Sequence, residues 1–230
     1  MSTVTIGRTL DPSGEPIPGT GLDIDADGPT AERLRERTGP LMSNPVTGEW
    51  VAGLVTPEET NGEYTVGLGL FSPGNAGPPA HVHVYYEESF HVVEGEFLIV
   101  QNGVEHRVSA GDTHAVPPGA EHTFRSVGDA AGAVAVTSTP PSKVRDVIST
   151  LFGMAHEGKL NDRGQPGFLQ GMVSAAATID DTVFTSPPPA ITRPLARAVA
   201  PIARALGYQA VHDRYASEAF WREHVEQPAL

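Results

Sequence analysis

Three histidines and one glutamate offer chemistry by type and spacing: His81, His83, Glu88 and His122. His81 and His83 are two apart, so on a β-strand both side chains leave one face, about 6–7 Å apart at the backbone. Two imidazoles so placed can converge on one ion at about 2.0–2.2 Å. Glu88 comes five residues after His83 and would face the other way along an unbroken strand. A turn through Val84–Glu87 into a second strand removes that objection, and puts Glu88, Phe90 and Val92 on a shared face. His122 follows Pro117-Pro118-Gly119, a rigid turn able to swing a new strand back towards the same place. Imidazole with carboxylate is a mixed nitrogen and oxygen donor set, suited to one divalent Fe, Mn, Ni, Cu or Zn ion.

The elements that must position these residues read as short strands. EYTVGLGLF alternates, with Tyr64, Val66, Leu68 and Leu70 on one face and Thr65, Gly67, Gly69 and Phe71 on the other. The two glycines on that second face leave room for close approach. EFLIV-Q-NG-VEHRV reads as a hairpin, because Asn102-Gly103 favours a two-residue type I′ turn. Further strands are expected at Thr113–Val116, His122–Val127 and Ala133–Ser138. Such spacing, with no helix between, predicts a mainly β antiparallel sandwich or barrel.

On either side the pattern changes. Residues 1–44 are rich in Gly, Pro and Asp and read as a loosely ordered N-terminal arm, packed on the body or on a neighbouring subunit, with one short helix at Ala31–Arg37. The barrel is expected over 45–140 and a helical C-terminal extension over 141–230. There Val144, Val147, Ile148 and Leu151 have helical spacing, with Ser142 as N-cap and Gly158 as terminator. Leu195, Val199, Ile202 and Leu206 form a second apolar stripe opposite Arg193, Arg197 and Arg204, on a helix that Pro201 should kink and Gly207 end. A last short helix is expected at Ala216–Val225.

Composition narrows the function classes. The chain has no cysteine, which excludes disulfides, thiolate nucleophiles, iron–sulfur clusters and Cys-based zinc sites. Its net charge is −13, from 28 acidic residues against 15 basic ones, a field that repels nucleic acid and anionic membranes. Neither is expected as a partner. The N-terminus lacks the basic and apolar blocks of a signal peptide, and no apolar run is long enough to span a bilayer, so a cytoplasmic protein is the expectation.

AHVHVYYEESFHVVEG closely resembles the first signature of the cupins, a His-x-His followed by Glu and then Gly, through His81, His83, Glu88 and Gly95. Glu87 fits the looser spacing, but only Glu88 keeps the six-residue gap to the glycine. GDTHAVPPGAEHTFRS resembles the second signature through Gly111, Pro117, Gly119 and His122. Two positions depart from the pattern: Asn75 stands where the first signature opens on glycine, and Ser126 where the second closes on asparagine. The resemblance spans roughly residues 45–140. It implies a jelly-roll β-barrel, one divalent transition metal held by His81, His83, Glu88 and His122, and a homodimer.

The chain resembles single-domain cupins related to quercetin dioxygenases. On that likeness the protein is a metal-dependent oxygenase acting on a small hydroxylated, aromatic substrate, with Glu88 as ligand and proton acceptor and Phe90, Val92 and Phe124 as the pocket wall. Four protein ligands on an octahedral ion leave two positions open, whereas a tetrahedral zinc ion would be closed and structural. A non-catalytic small-molecule-binding or storage module is the alternative, and a metal-assisted isomerase or lyase a third; acid–base residues in the lumen would favour that third case. Tyr85 and Tyr86 either line the pocket or pack beside it. His91 should point away from the Glu88 face, and His106 and His114 have no partner that spacing identifies.

Overall fold

The computed structural model describes residues 2–230. Its centre is two antiparallel sheets that share an apolar layer. The first 44 residues supply β1 (Thr3–Ile6), β2 (Leu22–Asp25), α1 (Pro29–Arg35) and β3 (Met42–Asn44). Then come β4 (Glu49–Val55), β5 (Thr65–Phe71), β6 (His81–His83), β7 (Glu87–Glu94), β8 (Glu96–Gln101), β9 (Val104–Ser109), β10 (Thr113–Val116), β11 (Glu121–Val127) and β12 (Gly132–Thr139). One sheet has the order β10-β7-β12-β5-β4-β3. The other has β6-β11-β8-β9, plus an edge strand from the C-terminal extension. The expected barrel is therefore a pair of facing sheets, with no ladder closing them into a cylinder among the described residues.

Strand alternation decides what lies between the sheets. Phe71, Phe90, Val92 and Val134 from the first sheet meet Phe97, Ile99 and Val108 from the second. Phe71 sits edge-on to both Phe97 and Phe124, with centroids 5.6 Å apart in each case. The opposite face of β4 and β5 carries Trp50, Ala52, Leu54, Leu68 and Leu70 into a second core. Ile6, Leu22, Ile24, Ala31, Leu34 and Leu41 complete that core. The N-terminal arm thus packs on the body, one of the two placements expected of it, and is ordered there rather than loose. Its own apolar residues need a sheet face to bury against, and they find one. The Asn102-Gly103 hairpin forms as expected, with both residues at positive φ (50° and 80°) as a type I′ turn requires.

The extension contains α2 (Val144–His156), α3 (Phe168–Ala177), β13 (Thr182–Phe184), α4 (Pro189–Ala205), α5 (Asp213–Ala216) and α6 (Glu218–His224). The Ser142 hydroxyl accepts the Val144 N–H at 3.0 Å, and Gly158 ends the turn after α2 at φ 66°. Phe152 and Met154 of α2 join Met42, Tyr215, Phe220 and Trp221 in a third cluster beside β3 and β4. The helix expected at Ala216–Val225 is α6, capped by the Ser217 hydroxyl, and a separate short helix, α5, precedes it. At α4 the expectation fails in a useful way. Ala196, Ala200 and Ala203 are the buried residues, packed towards Val173 of α3, while Leu195, Ile202 and Leu206 are exposed. Close approach of two helices selects small side chains, and the larger apolar ones are left outside. No helix is long and apolar enough to cross a membrane among the described residues.

Candidate metal centre

β6 is three residues long and its burial alternates, so His81 and His83 point inward while Val82 points out. β11 runs antiparallel beside it with His122 opposite His81, and the two rings lie 4.2 Å apart between centroids. The chain turns after His83 and enters β7, where Glu88 and Phe90 face inward with Val92. Asn75, one of the two departures, braces the loop before β6: its amide donates to the Thr47 carbonyl at 2.8 Å and its oxygen accepts the Gly77 N–H at 2.7 Å. Ser126, the other, is buried under Phe97 and Gly132 and touches no ligand.

These elements bring His81, His83, Glu88 and His122 together, with one ligand atom from each lying within 4.8 Å of the others. Glu88 Oε2 is 3.0 Å from both His83 Nε2 and His122 Nε2. The three histidines are 1–5% exposed.

The other ring nitrogens show why this donor set fits a cation. His81 Nδ1 is 2.8 Å from the Pro79 carbonyl, and His122 Nδ1 is 3.3 Å from the Ala120 carbonyl. A carbonyl only accepts, so each Nδ1 carries the proton and each Nε2 presents a lone pair. His83 Nδ1 lies 3.0 Å from Thr182 Oγ1. With Nε2 lone pairs aimed at a carboxylate oxygen, two acceptors face each other at 3.0 Å, which is unfavourable unless a positive charge lies between them. Two ligands held about 2.1 Å from one ion at a right angle are also about 3.0 Å apart. The buried His81/His83/Glu88/His122 group can therefore hold a metal ion.

Electrostatics agree. Burial, with the neighbouring His122, pushes His81 down to about 4, so it is a neutral ligand at ordinary pH. Burial alone would raise Glu88, but its contacts with His122 and His83 outweigh that and hold it down to about 2. Glu88 is thus an anion in the site.

The residues expected as a pocket wall lie next to the ligands. Phe90 and Phe124 are 4.8 Å apart between centroids, and Phe90 is 6.1 Å from the His122 ring. Tyr86 is buried and stacks on His83 at 4.1 Å, while Tyr85 is exposed at the rim. His91 points outward to Thr113, as expected. His106 and His114 do have partners. Their rings are 4.5 Å apart, and His114 Nε2 is 2.7 Å from Gln101 Oε1. In register His114 sits opposite Phe90 and Gln101 opposite His122, so both face the space that the ligands face. Sequence reasoning missed this polar group because its members come from strands of different sheets. It also missed β13, which pairs along β6 with Thr182 opposite His83 and Phe184 opposite His81.

The segment carrying all four ligands can be compared with known proteins. Residues 67–138 match the family model for the cupin domain. That cupin segment runs from β5 to β12 and leaves out β13. No curated protein matches the chain. Solved structures similar to it include an RmlC-like cupin from Shewanella frigidimarina, at 25% identity over 47% of this chain and 89% of that one, with a TM-score of 0.41. A sugar phosphate isomerase of the cupin superfamily from Silicibacter pomeroyi is 25% identical over 46% of this chain and 73% of that one, with a TM-score of 0.39. A predicted oxalate decarboxylase from Thermotoga maritima is 21% identical over 47% and 96%, with a TM-score of 0.41.

Proposed function

We propose that this protein is a metal-dependent oxygenase of the quercetin dioxygenase-like kind, acting on a small hydroxylated aromatic molecule. The observation that carries the reading is the convergence of three histidines and one carboxylate, with one ligand atom from each within 4.8 Å of the others, beside an aromatic wall. A divalent ion bound there would act as a Lewis acid, making a substrate hydroxyl easier to deprotonate. Both histidine contacts of Glu88 run to Oε2, which leaves Oε1 to take up the hydroxyl proton. Phe124, partly buried, would offer its ring to a flat substrate, with Phe90 and Val92 packed behind it as a dry backing. On this reading the protein works as a cytoplasmic homodimer with a small-molecule substrate, and the dimer is open to test by light scattering.

A second reading, a metal-assisted isomerase or lyase, draws on the His106–His114–Gln101 group. Two imidazoles and an amide on the lumen side suit proton transfer on a polar substrate such as a sugar or keto acid better than they suit a flat apolar one. Dioxygen uptake separates the two. The metal-loaded protein is given flavonols and catechols in an oxygen electrode, beside Glu88→Gln. Uptake that stops in the variant supports the oxygenase. No uptake, with turnover of a sugar or keto acid under argon that fails in His114→Ala, replaces it with the second reading. Binding of such molecules without turnover of any kind would make the protein a binding module.

A further inference from the structure

We propose that Asp181 and Thr182, supplied by the C-terminal extension, are positioning residues of the metal centre: they fix the tautomer and the angle of His83. The inference rests on the metal-centre reading and extends it to a part of the chain outside the cupin segment.

Hydrogen counting carries the case. Thr182 Oγ1 has one proton and three polar neighbours, Asp181 Oδ1 at 2.7 Å, Tyr86 Oη at 2.9 Å and His83 Nδ1 at 3.0 Å. A carboxylate only accepts, so the hydroxyl proton goes to Asp181. The two lone pairs left on Thr182 then accept from the Tyr86 O–H and from the His83 Nδ1–H. That arrangement leaves His83 Nε2 without a proton and turned towards Glu88. Asp181 is 3% exposed and takes three further donors: the Tyr85 hydroxyl at 2.9 Å, the Ser142 hydroxyl at 3.0 Å and the Lys143 N–H at 2.8 Å. The carboxylate is thereby fixed to the turn after β6 and to the start of α2.

His83 differs from the other two histidines in how it is held. His81 and His122 lean on the carbonyls of Pro79 and Ala120, two residues back and just before their own strands, whereas the partner of His83 is 99 residues away. Backbone pairing enforces the contact, because Thr182 stands opposite His83 in the β13–β6 ladder and Val84 N–H donates to the Asp181 carbonyl at 2.7 Å. Partners of this kind, behind a ligating histidine, typically change metal affinity by about 10- to 100-fold when removed.

The test uses the full chain and Co(II) or Zn(II), with affinity read by competition against a chromophoric chelator. Thr182→Val, which keeps the shape and removes the acceptor, is expected to weaken binding by about 10- to 100-fold, and Thr182→Ser to restore it. A second readout needs neither variant nor metal: ¹⁵N correlation spectra of the metal-free wild type should show His83 as the Nδ1–H tautomer. Equal affinity in wild type and Thr182→Val, or an Nε2–H tautomer in the wild type, overturns the assignment. A wild type that takes up no metal overturns the metal-centre reading instead, and the tautomer still decides the positioning role.

Discussion

Two histidine groups, one buried between the sheets and one half-buried where α2 and α6 end, are built on different principles. At the lumen, His81, His83 and His122 each have Nδ1 engaged, and Nε2 of His83 and of His122 lies 3.0 Å from one carboxylate oxygen. Beside α2 and α6, His156 and His224 stand 5.8 Å apart between centroids, among Phe220 and Trp221. His156 Nε2 is 3.0 Å from both the Ser43 carbonyl and its hydroxyl, and His156 Nδ1 is buried without a partner. His224 gives its Nδ1–H to the Phe220 carbonyl at 2.9 Å and stacks on the Phe220 ring. No carboxylate joins this second group among the described residues. Proximity of imidazoles is common to both groups. What separates a candidate metal centre from a packed core histidine is a shared anion and a set of lone pairs with nowhere else to point.

The sharpest break of that contrast is metal content. Wild type reconstituted with Fe, Mn, Ni, Cu or Zn should hold about one equivalent, and His83→Ala should lose it, with affinity down by 100-fold or more. His156→Ala should keep the full equivalent, since its ring contacts Ser43, Phe220 and Trp221 and belongs to the other histidine group. Elemental analysis with the chelator competition reads both. Metal retained in His83→Ala and lost in His156→Ala would reverse the assignment of the two groups.

Loading should also separate the regions by stability. An ion that binds only the folded chain adds about 2.7 kcal/mol at a hundredfold excess over Kd. For a chain of this length that is a rise of about 5–10 °C in Tm. Calorimetry with and without a chelator would show it, and Glu88→Gln should remove most of the difference, because a bound cation would lose its one anionic ligand.

The two groups were not equally legible before the structure. The lumen ligands sit on strands whose alternation and turns are local, so His81, His83, Glu88 and His122 were readable from spacing with the resemblance to cupins. What holds His83 was not, because Thr182 and its three-residue strand carry no periodic signal and the pairing is set by tertiary register. His106 and His114 were missed for the same reason: each faces inward only once β9 and β10 have found their partners. The N-terminal arm was misjudged by its Gly and Pro content, although Ile6, Leu22 and Ile24 are spaced to bury one face of a hairpin.

pH should sharpen the contrast from the other side. Burial and the neighbouring His224 push His156 down to about 4, from an ordinary 6.5. Below about 6.5 the unfolded chain takes up a proton that the folded chain refuses. Stability from this group is therefore complete above 6.5, falls as pH drops towards 4, and levels off below. Tryptophan fluorescence during thermal unfolding should show Tm declining across that window, through Trp221 in the same cluster. His156→Gln should flatten the His156 share of the decline. A slope that is unchanged in the variant would assign the dependence elsewhere.

The smallest effect tests the surface of α4, where residue size and burial part company. Ile202 is 61% exposed, whereas Ala200 is 1% exposed against α3. Ile202→Ser should change unfolding free energy by no more than about 0.5 kcal/mol, as surface substitutions usually do. Ala200→Leu forces added carbons between two closely packed helices and should cost about 1–3 kcal/mol. Urea titrations at low protein concentration compare the two directly. A large loss from Ile202→Ser, growing with protein concentration, would mean that a second copy covers this face. The apolar stripe would then be an interface, and the helix that holds it would join the N-terminal arm as a segment whose exposure is decided by what it packs against.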